Sequence, residues 1–128
     1  MRITRPLALI FTVALPGTVI GDTVAAKDRA RSGSFDATGE IRCAQEVGQS
    51  LGVCSAAVAR AAKSAAVVVT FTNGFARTLL FSEGQFLRGN ATMSGVGTDM
   101  DWRLSDGVYH VRVDDQRFEV PYALVIGD

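Results

Sequence analysis

A chain of 128 residues has room for one domain of ordinary size, and with 48% hydrophobic against 20% charged residues it is too apolar to remain disordered. Thirteen basic and thirteen acidic residues give a formal net charge of +0, so the positive excess that neutralises nucleic-acid phosphates is missing and no nucleic-acid partner is expected. Two cysteines and one histidine are too few for a disulfide-dense scaffold or a tetrahedral zinc site, and no cofactor or metal is expected.

Arg2 and Arg5 followed by the uncharged, mainly apolar run at 7–15, broken by Pro16-Gly17, have the layout of an export leader. The run is too short to cross a bilayer, which takes about 20 apolar residues, so no stable membrane span is expected. Small residues at Val24 and Ala26 predict cleavage before Lys27 and a signal peptide over 1–26, with Val19 and Gly21 offering an earlier site. No cysteine follows either site for lipid attachment, and the expected location is periplasmic or secreted. The polar, aperiodic stretch at 27–34 reads as a flexible tail. From Phe35 onward neither a repeat nor a linker composition interrupts the chain, so 35–128 reads as a single β-rich domain.

In an exported chain the pair Cys43 and Cys54 reads as a structural disulfide. Beyond it, Asn73-Gly74, Glu83-Gly84 and Asp106-Gly107 each sit between short apolar runs and signal hairpin turns. With Asn73 and Gly74 as central residues, Val69 faces Thr78, Val68 faces Leu79, Val67 faces Leu80 and Ala66 faces Phe81, a ribbon apolar on both sides that another layer must cover. The turn at Glu83-Gly84 sets Phe81 against Phe86 and Leu80 against Leu87. The alanine-rich segment 55–66 competes between a helix and a hairpin that pairs 53–60 with 65–71.

Asp106-Gly107 places Leu104 opposite Tyr109, Trp102 opposite Val111 and Met100 opposite Val113, all on one core-facing side. A following turn at Asp115-Gln116 adds Phe118 and Val120 to that side, opposite Val113 and Val111. The other side collects Asp101, Arg103, His110, Arg112 and Glu119, with Arg112 between Asp101 and Glu119. This polar face is the candidate binding site, although exposed cross-strand ion pairs also cover the wet side of many antiparallel sheets. His110 has no evident nucleophile to activate, so no catalytic residue is assigned. Asp99, Asp101, Asp114 and Asp115 lack the spacing of a calcium loop. Asn90-Ala91-Thr92 matches a glycosylation acceptor, and 89–99 reads as a long loop.

Short pieces of the chain carry a resemblance: Gly39-Glu40-Ile41 before Cys43, Gly48-Gln49 before Cys54, Val58-Ala59-Arg60, the run at 67–71 into Asn73-Gly74, the run at 77–81 from Arg77 to Phe81, Glu83-Gly84-Gln85-Phe86, Val111-Arg112-Val113 and Phe118-Glu119-Val120-Pro121. Over most of 39–127 the chain resembles a family of small uncharacterised bacterial periplasmic proteins with a two-cysteine amino-terminal segment. The resemblance implies a turn after Arg60, hence the hairpin; this chain departs from it in Ala61, Ala62 and Tyr122. No activity comes with it. The expected fold is all-β, an antiparallel meander of about seven or eight short strands forming a small sandwich or barrel, with an α+β arrangement carrying a helix around 55–66 as the alternative. The expected function is a non-catalytic binding or inhibitory module whose partner is another envelope protein. Behind it stand an accessory structural subunit of an envelope assembly and a hydrolase using His110.

Overall fold

The computed structural model describes residues 18–90 and 99–127. A helix, α1 (Thr18–Arg31), precedes eight strands: β1 (Ala37–Ala44), β2 (Gly52–Ala61), β3 (Ser64–Thr70), β4 (Ala76–Ser82), β5 (Gln85–Gly89), β6 (Met100–Ser105), β7 (Val108–Val113) and β8 (Gln116–Pro121). A short helix, α2 (Tyr122–Ile126), follows. All the strands belong to one antiparallel sheet in the order β5-β4-β3-β2-β1-β8-β7-β6. The sheet curls into a nearly closed barrel, so the fold is the expected all-β meander. The segment 55–66 is a hairpin, with Arg60 opposite Ala65. Its two-residue turn puts Ala62 at φ 52°, a left-handed conformation that costs a residue bearing a Cβ about 1 kcal/mol. No helix among the described residues is long and apolar enough to cross a membrane.

Turn chemistry sets the registers, in part differently from expectation. Glu83-Gly84 and Asp106-Gly107 hold positive φ at both positions, the turn whose twist matches paired strands. The second yields the expected partners Leu104–Tyr109, Trp102–Val111 and Met100–Val113. The first pairs Phe81 with Phe86, but an irregularity beyond Phe81 then sets Leu80 against Arg88 in place of Leu87. At Asn73-Gly74 the loop has three residues, closed by Phe71 N–H to the Phe75 carbonyl at 2.8 Å, with Gly74 at φ 92°. The register is therefore one residue away from the expected one, and Val67 faces Leu79 while Ala66 faces Leu80. At the last hairpin the turn is Asp114-Asp115, so Val111 meets Phe118 and Tyr109 meets Val120. That shift of two residues keeps every side chain on its expected face.

The interior holds Ile41, Val58, Val67, Leu79, Phe81, Tyr109, Val113, Phe118 and Val120, with Val125 of α2 closing one end. Cys43 and Cys54 form the expected disulfide within this core. The opposite face of β3 and β4 is apolar too, and α1 covers it: Ala26 packs with Ala66 and Leu80, and Ala30 and Ala61 lie against them. The stretch 27–34 is thus not a flexible tail. Its first part continues α1 to Arg31, because the hairpin beneath offers apolar surface that a small-residue helix face can bury. The helix end is tied down where Arg29 meets the Asp36 carboxylate at 3.0 Å, whose other oxygen accepts the Arg60 N–H at 2.7 Å.

Where β5 and β6 approach each other, the barrel is held by contacts other than a ladder. A Cβ on Gly89 would lie 3.0 Å from Val113 Cγ2 and 3.2 Å from its Cγ1, so the absence of a side chain there lets the two strands approach without displacing Val113. Arg77, 3% exposed, points inward beside the gap. Its Nε donates to Gln116 Oε1 at 2.8 Å, Nη1 donates to the Asn90 carbonyl, and Nη2 lies 3.9 Å from Asp114 Oδ2. Burial disfavours its charge and the Asp114 carboxylate partly restores it. One guanidinium thereby joins β4, the end of β5 and the β7–β8 turn. Arg77→Met keeps the apolar stem but leaves the buried Gln116 Oε1 without its donor and Asp114 without its cation, and is expected to lower stability by about 2 kcal/mol, read from the urea midpoint. An unchanged midpoint would mean that the seam closes without it.

Candidate functional site

Alternation along β6, β7 and β8 turns Asp101, Arg103, His110, Arg112 and Glu119 outward, and the structure brings all five together. They line a groove of about 450 Å³ with Leu51 and Arg117. One row across the sheet runs Arg103–His110–Glu119–Arg42, the next Asp101–Arg112–Arg117. Arg112 therefore does not lie between Asp101 and Glu119 as expected. The turn at Asp114-Asp115 puts Glu119 opposite His110 and Arg117 opposite Arg112.

Each charge has a traceable partner, with one exception. Glu119 sits between an imidazole and a guanidinium, its Oε2 3.5 Å from His110 Nδ1 and its Oε1 3.8 Å from Arg42 Nε. Arg112 Nη1 swings toward the sheet end, donating to the Asp114 carbonyl at 3.0 Å and to Asp99 Oδ2 at 3.3 Å. Asp101 Oδ1 accepts the Trp102 N–H at 2.9 Å and leaves Arg112 alone. Arg117 Nη2 donates to the Gln49 carbonyl and ties the 45–51 loop to the groove. Arg103 has no hydrogen bond or ion pair among the described residues. Exposed pairs of this kind contribute roughly 0 to 1 kcal/mol each, so the fold does not depend on the constellation.

Arg117 and Arg42 are the members that sequence reasoning missed. Arg117 was within reach, since it lies two residues before Glu119 and so shares its face. Arg42 was not, because it arrives through the pairing of β1 with β8, which no local turn announces. Asp99 and Asp114 do meet, but around Arg112 and each other's backbone: Asp99 N–H donates to Asp114 Oδ1 at 2.9 Å. Among the described residues no group of three or more His, Cys, Asp or Glu side chains could hold a metal ion. Asn90 N–H and Oδ1 extend the ladder along Thr78; Ala91 and Thr92, and most of the 89–99 loop, lie outside the described residues. In comparisons with protein-family models, curated proteins and solved structures, nothing matches the chain.

Proposed function

We propose that this protein is an exported, non-catalytic binding module that docks on an acidic surface of another envelope protein through the outer face of β6, β7 and β8. The observation that carries the reading is Arg103, a guanidinium left without a partner among the described residues, in a groove where Arg103, Arg112 and Arg117 outnumber Asp101 and Glu119. A surplus cation beside an imidazole and a small apolar element, Leu51, suits a carboxylate-bearing loop, and such charge complementarity acts mainly on association rate and specificity. Among the described residues, those lining the groove include no serine, threonine or cysteine that His110 could activate. The disulfide supports an oxidising compartment.

A photo-crosslinking residue at Asp101 is expected to capture one envelope protein in intact cells. Arg103→Glu with Arg117→Glu should reduce that capture at least about tenfold, by turning attraction into repulsion. The same crosslinker at Ala57, on the outer face of β2, should capture nothing. Equal capture from both positions, or capture indifferent to the charge reversal, refutes the assignment.

A further inference from the structure

The amino-terminal helix bears on how an exported chain is processed. Two sets of small residues meet the requirement for small side chains at the third and first positions before a leader cut: Val24 with Ala26, and Val19 with Gly21. The fold uses the residues around them very differently. Ala26 is fully buried against Ala66 and Leu80, and Thr23 is buried with its hydroxyl 3.5 Å from that of Ser64, which donates to Ser82 Oγ at 2.9 Å. Ala59, opposite Ala66 on the same outer face, is also fully buried. Gly21, in contrast, is exposed, with nothing among the described residues within 4 Å of where a Cβ would stand.

We infer that the leader is removed after Gly21, so that the mature chain begins at Asp22 and keeps α1 as the permanent cover of the outer face of β2, β3 and β4. The inference rests on the export reading above. The peptidase meets the chain before it folds, so the fold does not steer the cut; it decides which cut leaves a complete domain. Cleavage after Gly21 removes only the first turn of α1 and leaves Asp22 and Thr23 at its head. Both residue types cap helices by accepting first-turn N–H groups, and the Asp22 carboxylate offsets the new ammonium at the positive end of the helix. Cleavage after Ala26 would take Thr23 and Ala26 away and leave only 27–31, too short to persist as a helix. It would also set Lys27 beside the new ammonium and open Ala59, Ala66 and Leu80 to water, a contiguous apolar strip.

The test is the intact mass and amino-terminal sequence of the protein recovered from the envelope of cells expressing the full chain. A start at Asp22 is expected. A start at Lys27 overturns the inference and leaves export standing, whereas a full-length chain retained inside the cell overturns both. Purified chains made to begin at Asp22 and at Lys27 provide the second arm. The shorter is expected to melt about 5–10 °C lower through lost apolar burial, and equal melting would remove the physical basis of the inference and overturn it too.

Discussion

Replacing Tyr109 with alanine is expected to lower folding stability by about 4 kcal/mol, the largest effect of any single substitution considered for this protein. Tyr109 is fully buried on β7, with its ring centroid 4.8 Å from that of Phe81 on β4, 6.0 Å from Trp102 on β6 and 5.8 Å from Tyr122 of α2. Its hydroxyl donates to the Gly84 carbonyl at 2.6 Å. Among the described residues, strands β1–β5 pair with β6–β8 only through β1 and β8, so this side chain joins the two halves across the interior. Urea unfolding checks the prediction, and a loss under about 1 kcal/mol would show that the core closes over the gap.

Tyr109→Phe keeps the ring and removes the hydroxyl, leaving the Gly84 carbonyl without that donor, and is expected to cost about 1 kcal/mol near neutrality. Alkaline pH separates the two proteins further. Burial, aided by neighbouring Tyr122, raises the Tyr109 hydroxyl above the ordinary value of 10.0. The unfolded chain therefore releases this proton at lower pH than the folded one, so the contribution is complete below about pH 10 and is lost as pH rises through the folded value. The native protein should lose stability above about pH 10 more steeply than Tyr109→Phe. Parallel melting curves for the two across that range would contradict the burial argument.

Reduction of the Cys43–Cys54 bridge, or its replacement by Cys43→Ala with Cys54→Ala, is expected to cost about 3 kcal/mol. For a domain near 100 residues that lowers the melting temperature by about 12–20 °C. The two cysteines are diagonal neighbours on β1 and β2, since Cys43 faces Gly52 and Ile41 faces Cys54, with a sequence separation of 11. Thermal melts with and without reductant provide the measurement, and identical melts would mean that the bridge adds no stability. The consequence reaches the groove. Cys43 also pairs with Phe118 of β8, its neighbour Arg42 reaches Glu119, and the loop that the bridge closes carries Gln49 and Leu51. If the groove is the docking site proposed above, loss of the disulfide should weaken capture through it at temperatures where the barrel is still folded.

How far residues alone could reach differs between the two halves of the sheet. Across 100–105, 109–113 and 117–120 apolar and polar residues alternate, so misplacing the last turn by one residue, which moves the pairing by two, left His110 and Glu119 on the correct face and changed only their partners. In β3 and β4 both faces are apolar, and alternation could not choose between registers one residue apart. The three-residue loop at 72–74 made that choice, sending Leu79 and Arg77 inward and Leu80 outward beneath α1. Arg77 was invisible for the same reason, because a lone arginine in an apolar strand reads as an outward residue until the register is known.

Sequence by itself determined the β character of the domain, the two-residue turns at Glu83-Gly84 and Asp106-Gly107, the disulfide pair and the polar face of five residues, since each follows from chemistry acting over a few neighbouring residues. Only the tertiary structure decided that β1 joins β8, that Arg117 lines the groove and Arg42 reaches its Glu119, that Arg77 seals the gap between β5 and β6, and that α1 is a cover. Those features arise between segments tens of residues apart, where the outcome depends on which surfaces remain to be buried once the local strands have formed.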